Sequence, residues 1–404
     1  MKRRIFPVAG FAAVIAATLT VHAQPQWQDV VRNLRHPNPA TRLEAVQRLG
    51  SAGYVQAIDP ITPLILDPED QVQAAALDAE LTFFVTEKLS GGSRILGVGS
   101  TKSRAQQAFE AGPLIRTATA APQLLVDNLI AAIRDPNPRV SFDAVHAVGF
   151  IAEAPLTPQQ AAALADNLDH YDPTIRAATA RVIGRLQVHE AADQLRGAIE
   201  DSNGTVRFYA IESLGKLRER RALPALLDII QRGKQPVYIQ QAYLALGRIA
   251  APDDLATFRQ RIVDKDPVVR RASLEALGRL KDQDSRAAIE QAFNSDKSLE
   301  VRLAAAFALQ HLGTVQSHMI AANLVVESVT AQARDYLFEL GHDAIPGIES
   351  ALKVATDSEH RANLAQLVGY LGTQDDLPLV EPLLKDKDQR VVRAASNAIL
   401  RLRR

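Results

Sequence analysis

The sequence predicts an all-α fold, a right-handed α-solenoid of about eleven helix pairs. Three observations support this prediction: the composition, a segment that recurs along the chain, and an amphipathic stretch before each copy of it. Hydrophobic residues make up 47% of the 404 residues but aromatic residues only 5%, so the apolar content is mostly Ala, Leu, Val and Ile. Ala and Leu are strong helix formers, and small side chains let helices approach closely. A β-sandwich of this length would contain more Thr, Tyr, Phe and Trp.

The recurring segment begins with a turn Asp and a Pro, continues through a Val-Arg pair and an Ala-rich stretch, and closes on Leu-Gly-x-Leu. Its clearest copy is residues 264–280, and further copies occupy residues 37–50, 135–149, 169–186 and 201–217. The Gly of the closing motif falls at positions 149, 184, 215, 247 and 278, in steps of 35, 31, 32 and 31 residues. Steps of this size fit two short helices with two turns, which indicates a helical repeat array.

Within each copy the residues predict one buried helix face. In residues 264–280 the Asp and Pro open a helix, because Asp accepts a bond from an orphan N–H and Pro is tolerated in the first turn. Val269, Ala272, Ala276 and Leu277 then follow at helical spacing, and Gly278 allows a bend or a close approach. The amphipathic segment that precedes each copy cannot bury its apolar face alone, so neighbouring units must stack. Clear examples of it are residues 122–133, 222–230 and 376–384.

These motifs resemble the HEAT repeat, most closely the short variety of the bilin-lyase-like branch of the armadillo-type superfamily. The resemblance covers about residues 25–81 and 122–403. In that family the turn Asp and the helix Arg link adjacent repeats as a ladder. The resemblance implies this role for Asp135, Asp169, Asp201, Asp264, Asp296 and Asp386, with Arg176, Arg207, Arg270, Arg302 and Arg393. The pattern fails at Ser141, at Ile239-Gln240 and around Arg334.

The first 23 residues have the layout of a secretory signal peptide. A basic head at residues 2–4 precedes an uncharged apolar stretch at residues 5–21, and cleavage is expected after Ala23. The sequence therefore predicts an exported protein, periplasmic or extracellular. The alternative is an uncleaved membrane anchor, although about 17 apolar residues that include Pro7 and Gly10 are marginal for a bilayer span.

Composition excludes several classes of site. The chain has no Cys, which rules out disulfides, thiol nucleophiles, Cys-ligated metals and a bacterial lipoprotein anchor. Without the signal segment the chain has 43 basic and 46 acidic residues. Such a balanced and well-mixed charge gives no electrostatic footprint for nucleic acid or anionic lipid. We therefore expect neither nucleic-acid binding nor stable membrane insertion after cleavage.

The organisation predicted from these patterns has four parts. A signal peptide at 1–23 is followed by N-terminal repeats at 24–81, an irregular insertion at 82–121 that replaces about one repeat length, and a repeat array at 122–404. Insertions in solenoids lie on one face and often carry binding specificity. Part of this insertion is rich in Gly, but a phosphate-binding loop needs Gly directly before its Lys, and Thr101 stands there instead.

No catalytic, cofactor-binding or metal-binding residue is predicted. A hydroxylase of the superfamily that these repeats resemble uses repeated His-Glu pairs to hold two irons, and this chain has one such pair, His189-Glu190. One pair does not build a di-iron site. His311 and His318 straddle the turn at Gly313 and are expected to be surface or capping groups.

The remaining candidate for a functional site is a binding surface on the second helices of the repeats. Positions one, five and nine after the repeat Arg share a helix face turned away from the buried stripe, and such helices typically line the inner curve of this family's stacks. The candidate partner-binding residues on that face are Phe142, His146, Arg181, Arg185, Phe208, Glu212, Lys216, Arg271, Glu275 and Arg279. A mixed-charge groove with aromatic anchors suits a peptide or protein partner. The same face is also compatible with an ordinary solvated surface of i,i+4 pairs.

The function expected is that of an exported, monomeric scaffold or adaptor that binds a protein or peptide through its concave face, without catalysis or a cofactor. The alternative suggested by the resemblance is a bilin-lyase-like or metal-dependent enzyme or cofactor carrier.

Overall fold

The structure, a computed structural model, describes residues 27–86 and 102–404. The predicted signal peptide and residues 97–101 of the Gly-rich stretch lie outside these ranges. Within them the regular secondary structure is helical, apart from one isolated bridge between Val85 and Arg116. The helices are α1 (residues 27–33), α2 (Pro39–Ala52), α3 (Ile58–Ile61), α4 (Asp70–Phe84), α5 (Arg104–Ala111), α6 (Gln123–Ala132), α7 (Pro138–Ile151), α8 (Pro158–Asp166), α9 (Pro173–Leu186), α10 (Ala192–Ala198), α11 (Gly204–Lys216), α12 (Leu223–Arg232), α13 (Pro236–Ile249), α14 (Leu255–Arg261), α15 (Pro267–Arg279), α16 (Arg286–Ser295), α17 (Leu299–His311), α18 (Ser317–Ala322), α19 (Thr330–Leu340), α20 (Ile345–Val354), α21 (Ser358–Leu371), α22 (Leu377–Val380) and α23 (Gln389–Leu402).

Every helix except α5 belongs to a pair, so the described residues contain eleven pairs, from α1/α2 and α3/α4 to α22/α23. The predicted all-α solenoid of about eleven helix pairs is confirmed. The second helices of successive pairs pack directly on one another and form an inner layer, which we call the inner helices; the exception is α19, the second helix of the ninth pair. The first helices form the outer layer, several of them led in by a short 3₁₀ turn. The main apolar core runs between the layers from Val30 to Leu402, and a small separate cluster consists of Tyr243, Val269 and Ala272.

The inner helices begin where the sequence predicts, but the capping residue differs from the predicted one. The side chain of Asp266, directly before Pro267, accepts a hydrogen bond from the N–H of Val268 at 2.8 Å and is the N-cap of α15. The turn Asp264 lies two residues earlier and accepts instead from the N–H of Asp266 at 2.9 Å. The turn Asp therefore shapes the turn, and the residue before Pro caps the helix.

The repeated Gly allows neighbouring inner helices to approach closely. A Cβ added at Gly215 would lie 2.7 Å from the Ala245 Cα, and one added at Gly278 would lie 2.6 Å from the Ala308 Cα. Both Gly residues lie inside helices, at ordinary helical dihedrals, and not at a bend. Of the two roles that the sequence left open for this Gly, close approach is therefore the one it has.

A ladder of charged side chains links the turns of adjacent pairs. Arg176 donates from Nε and Nη2 to the two carboxylate oxygens of Asp201, at 2.8 and 2.9 Å, and Arg270 binds Asp296 in the same way at 2.8 and 2.9 Å. The third nitrogen of each Arg, Nη1, donates to backbone carbonyls of its own turn. These turns, between the outer and inner helix of each pair, together form one edge of the solenoid, which we call the turn edge.

The ladder differs from the predicted one at several positions. Arg42–Asp67 is a further rung that the family pattern did not assign, and the predicted Asp386 is bound by Arg361, which that pattern did not include. Asp169 is not in a rung, because the equivalent turn position is filled by His170, whose Nδ1 accepts from the N–H of the next cap residue at 3.0 Å.

At the predicted breaks other groups substitute. Ser141 donates to the Ile133 carbonyl, and Gln240 donates to Asp266 at 2.9 Å. Gln73 donates to Asp135 at 2.9 Å, which links the second pair directly to the third across the insertion. The stack therefore continues directly from the second pair to the third, and the described residues 102–121 of the insertion lie outside it.

Gly278→Ala should destabilise the fold, because the new methyl group meets the backbone of α17 and the two inner helices must separate. We expect a loss of about 1–3 kcal/mol in the free energy of unfolding, measured by urea titration. Gly197 provides the control, since it is an exposed position within helix α10 at which an added Cβ meets nothing within 4 Å. Gly197→Ala should be neutral or stabilising by up to about 1 kcal/mol. Equal losses in the two variants would contradict the close-approach role.

Asp201→Asn should cost about 1–3 kcal/mol at neutral pH, since it removes a charge-assisted pair whose side chains are only 14% and 13% exposed. The hydrogen bond from Arg176 outweighs burial and lowers the pKa of Asp201 in the folded protein. The stability from its ionisation is therefore present above the unfolded-state pKa and is lost as pH falls through the folded-state pKa. The difference between wild type and variant, followed by urea titration from pH 7 to pH 2, should shrink towards zero. The exposed Asp375 serves as control, and Asp375→Asn should show little difference at any pH.

Candidate functional site

Two elements depart from the stack and lie on its concave side. One is residues 102–121, which we call the inner segment and which contains α5. The other is α19, the second helix of the ninth pair. Inner helices from distant pairs contact these two elements, which places both of them in the interior of the curve.

The inner segment begins with a short amphipathic helix. The hydroxyl of Ser103 caps α5 by accepting from the N–H of Gln106 at 3.2 Å. Ala105, Ala108 and Phe109 then form a buried face that packs against α7. Lys102, just before α5, lies 2.5 Å from the carboxylate of Glu110 near the end of that helix. This ion pair therefore links the two ends of α5.

Phe109 is the centre of the first contact with the predicted binding face. Its ring lies 5.3 Å from that of His146, and the guanidinium of Arg185 lies 3.8 Å from its centroid. Arg185 also donates to the Phe109 carbonyl, and Arg181 lies 3.7 Å from Glu110. Burial lowers the pKa of His146 to about 4, so this ring is neutral at neutral pH and adds no charge beside the two Arg side chains.

The second half of the inner segment consists of a 3₁₀ turn at Pro113–Ile115 followed by non-helical backbone, and it is held at its backbone from two sides. On one side, the Thr117 N–H donates to the Phe84 carbonyl at 2.9 Å, at the end of α4. On the other, Arg401 of α23 donates to the carbonyls of Arg116 and Thr117 at 2.7 and 2.9 Å. Asn397 accepts from the Ala118 N–H at 3.0 Å. The second and eleventh pairs therefore meet on one stretch of polypeptide.

Helix α19 supplies the other half of the interior. Glu339 accepts two bonds from Arg279 at 2.8 Å each and one from Arg218 at 2.6 Å. Tyr336 donates its hydroxyl to Glu275 at 2.6 Å. Further along the same helix, Arg334 donates to the Ala111 carbonyl at 3.3 Å, so α19 also contacts the inner segment.

The charges of this interior compensate one another. Burial on its own would raise the pKa of Glu275, which is 1% exposed, but Arg271 and Arg279 outweigh burial and lower it to about 2. Burial, followed by the negative charge of Glu275, raises the pKa of Tyr336, which stays a neutral donor. The arrangement is a satisfied network of buried ion pairs, which fixes the position of α19 rather than presenting a reactive group.

The ten predicted partner-binding residues therefore have unequal access to solvent. His146 and Glu275 are buried, and the Arg279 side chain is only 7% exposed. The other seven are half-buried. Phe142, Arg181, Arg185 and Arg271 lie beside the inner segment or the ion-pair network. Phe208, Glu212 and Lys216 are grouped on α11, and among the described residues they form no hydrogen bond or ion pair with the inner segment or α19.

The sequence did not identify the residues that occupy the concave side. Phe109, Glu339 and Tyr336 belong to it and do not stand in a repeated position, whereas Arg401 follows the N-cap Asp388 at the same distance as Arg279 follows the N-cap Asp266. The one available signal was Arg334, which fails the ladder pattern because its helix has turned into the interior.

The isolated His-Glu pair does not assemble a site. His189 and Glu190 are exposed at a 3₁₀ turn on the outer layer. Within residues 27–86 and 102–404, no group of three or more His, Asp and Glu side chains is placed to hold a metal ion. In the same residues no helix is both long enough and apolar enough to cross a membrane.

The eleven stacked helix pairs, the close contacts at the repeated Gly and the Asp–Arg ladder together define an α-solenoid. The sequence profile of HEAT repeats matches residues 161–247 and 234–310, which lie in the regular part of the stack. Residues 161–310 are therefore HEAT repeats.

Known proteins resemble the chain at low identity. Deoxyhypusine hydroxylase of the mouse is 24% identical over 246 residues, covering 52% of this chain and 80% of that protein. Among solved structures, an engineered protein is 16% identical with a TM-score of 0.41 and covers 94% of this chain and 99% of its own. The complex of CpcE and CpcF of phycocyanin lyase from a Nostoc species is 22% identical with a TM-score of 0.33, covering 61% of this chain and 95% of that one.

Arg401→Ala should loosen the inner segment, because it removes the donors to two consecutive carbonyls. We expect amide exchange at residues 114–118 to become at least about tenfold faster, since a charge-assisted hydrogen bond contributes about 1.5–3 kcal/mol. The exposed Arg393 on the same helix gives the control, and Arg393→Ala should leave that exchange unchanged. Unaltered protection in Arg401→Ala would show that the segment is held by other contacts.

Proposed function

We propose that the protein is an exported HEAT-repeat scaffold that binds a protein or peptide partner along its concave face and performs no catalysis itself. The observation that carries the proposal is that this face already holds a stretch of polypeptide by its backbone, residues 113–118, in which a 3₁₀ turn at Pro113–Ile115 is followed by extended backbone at Arg116. Tyr370 donates to the Pro113 carbonyl at 3.0 Å, and Arg401 donates to the two carbonyls of residues 116 and 117. Bonds to the backbone do not depend on the bound sequence, which is how extended peptides are recognised.

The part of the face left for a partner is α11. Phe208 is half-exposed there beside Tyr209, and the two ring centroids lie 5.3 Å apart. One and two turns further along the helix, Glu212 and Lys216 form an ion pair with an N–O distance of 2.9 Å. An aromatic pair supplies apolar contact area and the flanking charges supply orientation. A partner that reaches further into the curve has to displace the inner segment. The segment thus sets which ligands gain access.

Export is supported by the basic and apolar pattern of residues 2–21. A monomer is expected because the apolar faces of the helices are buried within the chain. The enzymatic alternative, a bilin-lyase-like or metal-dependent protein, receives no support from a specific arrangement of residues in the described part of the chain. A metal analysis and an absorption spectrum of the purified protein discriminate it from the scaffold.

A photo-crosslinking amino acid at position 208 should capture a partner in intact cells that produce the protein. The matched control is position 260, exposed on the outer helix α14, where no adduct is expected. Mass spectrometry of the adduct identifies the partner, and sequencing of the purified chain should give a mature N-terminus at Gln24. Adducts of equal yield at both positions, or none at position 208, would overturn the concave-face proposal. A start at Met1 would overturn export with cleavage.

A further inference from the structure

One rung of the ladder lacks its carboxylate. The turn between α12 and α13 has Gly233 two residues before the cap position, where the turn between α16 and α17 has Asp296. The backbone has the same shape at both, with φ −62° and ψ 142° at Gly233 against φ −65° and ψ 138° at Asp296. The turn is therefore built like the others but provides no acceptor for the Arg of the preceding pair.

That Arg is Arg207, and it is held in the same way as its counterparts. Its Nη1 donates to the carbonyls of Asp201 and Ser202 at 2.7 and 3.1 Å, as in the complete rungs. Its Nη2 donates only to the neutral hydroxyl of Tyr238 at 3.1 Å. Among residues 27–86 and 102–404, no carboxylate oxygen lies within 4.0 Å of its guanidinium, and its Nε donates to no described group.

A cavity of about 260 Å³ opens at this place. Ile199, Ile211 and Ile229 form an apolar part of its wall, and Arg207 and Tyr238 form a polar part. The remaining lining is Glu200, Gly233, Lys234 and Gln235. Ligand pockets for whole small molecules start at about 300 Å³, so this volume suits a single residue and not a large ligand.

We propose that this cavity binds the C-terminal residue of a peptide or protein that ends in an aliphatic side chain. The terminal carboxylate takes the place of the missing Asp and accepts from Nε and Nη2 of Arg207, with Lys234 adding positive charge at the mouth. The aliphatic side chain packs on the three Ile residues. Glu200 accepts from the N–H of the bound residue. This proposal goes beyond the concave-face function and concerns a different surface.

The geometry of the complete rungs supports the carboxylate specifically. In four of them the same two nitrogens bind both oxygens of an Asp at 2.7–3.1 Å. Arg207 presents that fork already fixed by its carbonyl contacts, so little side-chain entropy is lost on binding. Arg302 also lacks an Asp partner, but the turn that follows it belongs to the irregular pair of α18 and α19. The turn edge exposes Val237 near the cavity, at 47%, and Val263 further along, at 80%.

The test uses a fluorescein-labelled hexapeptide ending in Leu, measured by fluorescence anisotropy against the whole mature protein. The free acid should bind, and the same peptide with a C-terminal amide should bind at least about tenfold more weakly, as expected for loss of a bidentate charge-assisted pair. Arg207→Lys should produce a similar loss, since Lys keeps the charge but not the fork. Lys234→Gln, at an exposed position, gives a second variant that is not expected to affect folding.

Arg270→Lys is the matched control, because it weakens a complete rung with its own Asp and leaves the cavity unchanged. It should leave peptide binding as in the wild type. Equal binding of acid and amide, or unaltered binding in both Arg207→Lys and Lys234→Gln, would overturn the proposal. So would equal binding of an amidated peptide with an internal Asp, because the site would then read any carboxylate. Failure here leaves the concave-face proposal intact, since position 208 is tested by crosslinking.

Discussion

The fold depends on how closely one inner helix can approach the next. At Gly215 and Gly278 a single methyl group would meet the backbone of the neighbouring helix at 2.7 and 2.6 Å. This contact sets the spacing of the pairs, and the spacing in turn brings each Arg within reach of the next turn's Asp. The ladder, the curvature and the enclosed interior all follow from that spacing. A solenoid built this way has no independent domains, because every pair buries its apolar face on its neighbours.

Local patterns predicted what depends on local packing. The Gly column, the helix pairs and the rungs of Arg176 and Arg270 repeat at a fixed period, so they can be read from one copy and carried to the next. The interior of the curve could not be predicted in this way. Arg279 meets Glu339 60 residues later, and Arg401 meets Thr117 284 residues earlier. Such contacts have no period, and each residue involved looks like an ordinary exposed position within its own repeat.

The candidate site shows the same limit. The ten predicted residues lie on the inner helices α7, α9, α11 and α15, but the sequence gives no sign that α5 and α19 would lie against them. Glu275 was chosen as a surface charge, yet it is the buried centre of a network with Arg271, Arg279 and Tyr336. A repeat pattern reports which way a side chain points relative to its helix. It does not report whether a distant part of the chain packs against the face to which that side chain points.

The attachment of the inner segment to α23 also has a consequence for biosynthesis. The Ala118 N–H finds its acceptor on Asn397, 279 residues later. At about 5–20 residues per second, a ribosome needs about 15–55 seconds to make the missing half of that contact. During this interval the early pairs can stack in order and the segment can dock on α4 and α7, but its contacts with α23 do not yet exist. Residues 116–118 therefore keep one side of their backbone open to chaperones and proteases until the last helix emerges.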